Sequence, residues 1–198
     1  WAMMDIVMPN VSTTVETEKH STKIGRRVIA LHGVDGSCSN QVFFGAIDFF
    51  CTNGMITGDY DKVKRKNTSN FCMSRFIDEL NQSSLDFQEQ SDKLKTWART
   101  ELPTYTNKGW NEVLSSITKS DQKAKKMLPL VQQEVSKRGR NVFALYSAFT
   151  NYASYADERN GFNLRNTGND TRSQSMWARE HEVTKWVATP EFKKLAAA

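Results

Sequence analysis

Apolar side chains are spaced in two different ways along this chain, and the change falls between residues 60 and 70. Over the first sixty residues they come as short runs rich in Val, Ile and Phe, bounded by turn-forming residues, which is how strands are written. From Asn70 onward they recur at helical spacing. A chain that writes its strands first and its helices afterwards folds as α+β, not as an alternating βα unit. The fold predicted is a small, mainly antiparallel sheet in the N-terminal third followed by a helical C-terminal two-thirds. It forms one domain over residues 1–195, with the sheet portion in 1–60 and the helical portion in 70–195.

Within the sheet portion, Ala2 to Met8 reads as a strand ending at Pro9-Asn10, and Arg27 to His32 as a second, ahead of Gly33-Val34-Asp35-Gly36-Ser37. Asp35-Gly36 is a hairpin signal. Gln41 to Cys51 is apolar at both parities, which predicts a central strand or one covered on both faces. Asn53-Gly54 turns the chain into Met55-Ile56-Thr57. The polar stretch Ser12 to Lys23 is expected to be a loop or flap.

In the helical portion, Met73, Leu80, Phe87 and Leu94 repeat every seven residues, accompanied by Ile77, Ser84, Ser91 and Ala98. That predicts a helix of about thirty residues, ended by Pro103. Asn107 to Ile117 is a second helix. Ser120-Asp121 caps a third that carries Pro129 as a kink and ends at Gly139. Asn141 to Ala156 and Ser173 to Val187 follow, separated by a loop over Gly161 to Thr171. The heptad-like stripe offers a surface for a partner helix, and an oligomer through residues 73–98 is one expectation. Packing on the chain's own helices is the competing one.

Net charge is +5, from 27 Lys and Arg against 22 Asp and Glu, a mild positive bias that suits a polyanion. Mean hydropathy is -0.59, and the longest apolar run, Val42 to Cys51, is interrupted by Asp48, so no membrane partner is expected. Three cysteines, Cys38, Cys51 and Cys72, lack zinc-ribbon spacing and fit reduced thiols in a cytoplasm. The opening Trp1-Ala2-Met3 is not a signal peptide and reads as the interior of a longer protein. Ala196-Ala197-Ala198 is set aside as an expression scar or truncated frame. N-x-Ser/Thr matches at Asn10, Asn67, Asn81 and Asn169 carry no weight without secretion.

Several residues offer chemistry. His32, Asp35 and Asp48 are the catalytic candidates, as a general acid or as oxygen donors to a divalent cation in a hydrolase or nuclease. Asp48 also has an architectural reading. An ionised carboxylate in an apolar strand needs a cation or turn backbone, and Arg26 or Arg27 is the expected partner. His20, His32 and His181 have no metal spacing, Cys51 has no adjacent base, and no cofactor is expected. Lys62, Lys64, Arg65 and Lys66 cluster just after the sheet, beside Tyr60 and Phe71. A second basic group, Lys119, Lys123, Lys125, Lys126, Lys137, Arg138 and Arg140, surrounds the third helix. Cations for phosphates and aromatic rings for bases are what a single-strand binder uses.

Two blocks resemble the phage and plasmid family known as domain of unknown function 932. The first is His32-Gly33-Val34-Asp35-Gly36-Ser37, an apolar strand, then Cys51-Thr52-Asn53-Gly54-Met55. The second is Asn141 to Tyr152, including Asn141, Tyr146, Thr150 and Tyr152. Relative to the family pattern, Val34 replaces a turn histidine, Ser147 an asparagine, and Arg65-Lys66 an Arg-His pair. The resemblance implies a mobile-element protein of the bacterial host cytoplasm and brings no activity with it. The leading expectation is a non-enzymatic nucleic-acid-binding accessory. A metal-dependent hydrolase and an assembly module are the alternatives.

Overall fold

The computed structural model describes residues 2–32, 40–49, 54–56, 64–65, 73–159 and 171–197. Five strands come first: β1 (Ala2–Glu16), β2 (Ser21–His32), β3 (Asn40–Asp48), β4 (Gly54–Ile56) and β5 (Lys64–Arg65). They form an antiparallel sheet in the order β1-β2-β3-β4, with β5 also paired to β3. Six helices follow: α1 (Met73–Arg99), α2 (Asn107–Thr118), α3 (Asp121–Arg138), α4 (Val142–Arg159), α5 (Thr171–Val187) and α6 (Pro190–Ala196). The α+β order read from the change in spacing is the order of the fold.

Ser12 to Lys23 is not a loop. β1 and β2 extend through it, pairing Ser12 with Gly25 and continuing to Glu16 with Ser21. The polar residues alternate: Thr22 and Ile24 are buried while Ser21 and Lys23 are exposed, and Val15 is fully buried. Threonine fits a half-buried pleated surface as well as valine does, so polarity alone misreads this segment. The turn is tight. Thr17 N–H donates to the His20 carbonyl at 2.9 Å, and His20 N–H donates to Thr17 Oγ1 at 3.1 Å.

β2 is buried at every position from Ile24 to Ile29, so both of its faces are covered there. Cross-strand partners point the same way, and alternate residues point oppositely. Thr22, Ile24 and Asp48 therefore share one face, while Arg27, Gly25 and Gly45 share the other. β3 is central, as its apolar character at both parities predicts, with β2 on one side and β4 and β5 on the other.

α4 is the centre of the helical layer. Every residue from Asn141 to Thr150 is buried, and the helix touches α1, α3, α5 and β4. A helix apolar all round must be enclosed on all sides. Phe143, Leu145 and Phe149 fill the core with Trp97, Leu114, Met127, Trp186 and Phe192. The C-terminal half of the α1 stripe, Phe87, Ser91, Leu94 and Ala98, is buried inside the chain. That half packs on α4 and the sheet, leaving no seam there for a partner helix. Side chains from Met73 to Ile77 and from Glu79 to Asp86 lie outside the described residues.

Ser120 caps α3 and Gly139 closes it, as expected, with Gly139 at φ +88°, a conformation that favours glycine. The loop expected over Gly161 to Thr171 lies outside the described residues, save that α5 begins at Thr171. α6 was not anticipated, although Thr189-Pro190-Glu191 is a helix start: an N-cap, proline at N1 and an acid in the first turn. The backbone N–H at that start, then the Ser116 hydroxyl and Lys119, hold the Glu191 carboxyl below its ordinary pKa. Ala196, set aside from the sequence, ends α6 and packs on the core.

Candidate functional site

Two arginines enter the boundary between sheet and helices from opposite faces of the sheet. Arg27, in the middle of β2, spans two carboxylates. Its Nε and Nη2 donate to Asp5 of β1 at 2.8 and 2.7 Å, and its Nη1 donates to Glu180 Oε2 of α5 at 2.9 Å. Burial opposes the Arg27 charge, but Glu180 and Asp5 outweigh it and hold the guanidinium protonated beyond arginine's ordinary range.

The other Glu180 oxygen continues the chain of contacts. Ser154 of α4 donates to Glu180 Oε1 at 3.1 Å and accepts the Gly54 N–H at 3.0 Å. Tyr146 stands nearby, its hydroxyl held protonated above the usual tyrosine range by burial and then by the negative charge of Glu180. Gly54 is glycine for a steric reason. A methyl group at its Cα would overlap Arg27 Nη1 and Glu180 Oε1 and lie 2.8 Å from Glu180 Cδ.

On the opposite face, Arg138 at the end of α3 donates from Nη2 to Asp48 Oδ2 at 2.6 Å, and from Nε to Glu134 Oε2 at 2.8 Å. Its Nη1 donates to the Thr22 hydroxyl. Arg138, Asp48, Glu134 and Thr22 are all fully buried, and the guanidinium packs 5.2 Å from the Phe143 ring centre. Asp48 thus takes an ion pair from a helix ninety residues on, while Arg27 is committed to Asp5 and Glu180. A carboxylate sealed in this way meets no solvent-borne substrate. What these clusters do chemically is neutralise charge and satisfy donors across seven elements of the fold.

Asn141 is an N-cap. Its Oδ1 accepts the Ala144 N–H at 2.9 Å and its Nδ2 donates to the Arg138 carbonyl at 2.9 Å, tying the end of α3 to the start of α4. Tyr146 packs on Trp97 with ring centres 5.2 Å apart, Tyr152 lies against Trp186, and Thr150 donates to the Ser147 carbonyl.

The family model described as Domain of unknown function (DUF932) matches residues 1–192. The chain belongs to this family. No curated protein and no solved structure matches it. One residue from each block singled out in the sequence bears on Glu180: Gly54 of the first abuts the Arg27–Glu180 pair, and Tyr146 of the second, on the helix that packs against β4, feels the Glu180 charge.

The remaining sequence candidates are dispersed. His32 ends β2, its backbone opposite Ala2. Asp35, Gly36, Ser37, Cys51, Asn53, Lys62 and Lys66 lie outside the described residues. Lys64 and Arg65 form β5, opposite Gln41 and Asn40 on the edge of β3. Among the described residues no group of three His, Cys, Asp or Glu side chains is placed to hold a metal ion, and no helix is long and apolar enough to cross a membrane. The basic group around α3 divides, with Lys125 and Lys126 exposed and four others engaged within the chain. Arg138 is buried, and Arg140, Lys119 and Lys123 pair with Glu101, Glu191 and Glu182. Glu180 and Arg138 were missed as anchors. The Glu134–Arg138 spacing of four on one helix is the only local signal either one offers.

Proposed function

We propose that this DUF932 protein is a non-enzymatic nucleic-acid-binding accessory of a phage or plasmid, acting in the cytoplasm of a bacterial host. It contacts single-stranded DNA through Lys62, Lys64, Arg65 and Lys66, together with Asp35-Gly36 and Asn53-Gly54. The observation that carries this reading is the pairing of β5 with β3. It sets the backbone of two of the four basic residues on a sheet edge, at the end of β3 that follows residues 33–39. A backbone already paired in a sheet has less freedom to lose when its residues meet phosphates. The reading gains further support from Asp48, whose engagement with Arg138 deprives the hydrolase alternative of its most buried carboxylate.

Fluorescence anisotropy with labelled single-stranded and duplex oligonucleotides tests the proposal. Binding should weaken steeply between about 50 and 200 mM salt, because phosphate contacts release counterions. Lys64→Glu with Arg65→Glu should weaken binding on all sequences and reduce the salt slope by about one per cation removed. No binding at the lower salt would overturn it. Binding unchanged by the double variant would remove β5 as the contact.

A further inference from the structure

We infer that β1 is the seam of a homodimer, in which a second copy of this chain adds its own β1 antiparallel across a two-fold axis through Ile6. β1 is the outermost strand of the sheet, and among the described residues nothing pairs with its outer edge. Such an edge presents a row of N–H and C=O groups, which monomeric proteins blunt with lysine, proline or a bulge.

From Ala2 to Met8 this edge carries none of those devices. Its register with β2 runs unbroken from Ala2 opposite His32 to Met8 opposite Arg26, and the shift comes only between Met8 and Ser12, where Pro9 lies. Proline and shift therefore bound the flat stretch instead of interrupting it. The one charge within it, Asp5, is taken up by Arg27 of the same chain.

Among the described residues, the large apolar side chains left exposed gather on this strand: Met4 (61%), Ile6 (39%), Val7 (36%) and Val11 (39%), with Phe49 the exception elsewhere. Met4 and Ile6 point to one face and Val7 to the other. A layer laid on either face would cover only some of them, whereas an added strand gives Met4, Ile6 and Val7 each a neighbour. Charge selects a second copy as that strand. With Asp5 already engaged, the stretch offers no charge to attract a basic or acidic peptide, and it is apolar enough to pair with itself. A register centred on Ile6 sets Met4 against the partner's Met8 and Asp5 against the partner's Val7, so no two carboxylates face each other. The row Ile6–Val28–Phe44 then continues across the axis into the same row of the second copy as one apolar band, flanked on each side by a pairing of Met4 with Met8. This seam is independent of the proposed nucleic-acid contact.

Sedimentation equilibrium of the whole chain over about 1 to 100 μM should show the mass rising from 22.6 kDa toward twice that value. Met4→Lys, at the most exposed of these positions, should raise the dissociation constant about tenfold or more while leaving the circular dichroism spectrum unchanged. Ile6→Cys should give a disulfide-linked dimer under mild oxidation, because the two new thiols face each other. Met4→Cys should not, because its neighbour is the partner's Met8. Both are read against the unsubstituted chain, which carries Cys38, Cys51 and Cys72. A mass of 22.6 kDa throughout, a dimer indifferent to Met4→Lys, or an Ile6→Cys chain that cross-links no more than the unsubstituted one would each overturn the inference.

Discussion

At the scale of single residues, the most constrained position is Gly54, which has no room for a methyl group beside the Arg27–Glu180 pair. Gly54→Ala forces the guanidinium and carboxylate apart or pushes β4 off α4, and should cost about 1–3 kcal/mol by overpacking. An unchanged denaturation midpoint would mean that the pair yields without cost. Arg138 makes a different point, since its partners Asp48 and Glu134 are both fully buried. Arg138→Met removes the buried counter-charge from two carboxylates and should destabilise by about 3–5 kcal/mol, read by urea denaturation. Replacing Asp48 and Glu134 with leucine in that same variant should restore most of the loss, because an apolar cluster of similar volume needs no counter-charge. If the triple variant is no better than Arg138→Met alone, the carboxylates are not the source of the cost.

At the scale of elements, Asn141 joins two helices by bonding the first turn of α4 and the last carbonyls of α3 at once. Asn141→Ala removes both bonds and should cost about 1–2 kcal/mol, whereas Asn141→Asp keeps the acceptor and should cost less. Equal losses would show that the donor to Arg138 matters more than the cap. The helices were legible because their signals are local: Ser120 and Gly139 bound α3, and the spacing of Phe143, Tyr146 and Phe149 marks α4. β1 beyond Met8 was not, because Thr13, Thr14 and Thr22 look like loop residues until Val15 and Ile24 are found buried beside them. The anchors of the site were harder still. Arg27 and Glu180 are 153 residues apart, and Arg138 and Asp48 90. A basic residue destined for burial has the same composition signature as one on a solvated face, which is why Arg138 reads as part of a phosphate patch. Gly54 and Asn141 were found, but their purpose was visible only once the fold had brought their neighbours to them.

At the scale of the whole molecule, two buried arginines fasten opposite faces of one sheet to the helices, so ionisation within that boundary registers on the entire fold. Tyr146 is the group with the clearest consequence. In the unfolded chain its hydroxyl titrates near about pH 10, while in the fold burial and the Glu180 charge keep it protonated to higher pH. Below the unfolded pKa both states hold the proton and this residue adds no pH dependence. Above it the unfolded chain holds fewer protons, so stability falls as pH rises, by up to about 1.4 kcal/mol per pH unit, until the folded hydroxyl itself titrates. Tyr146→Phe keeps the ring against Trp97 and removes the titration. Urea denaturation between about pH 8 and pH 11 should therefore show the wild-type chain losing stability more steeply than the phenylalanine variant, with the two curves diverging only above the ordinary tyrosine range. Every other group is common to both proteins and cancels in the difference. Parallel curves would mean that Tyr146 reaches solvent when it ionises, and that the enclosure around Glu180 opens without unfolding the rest.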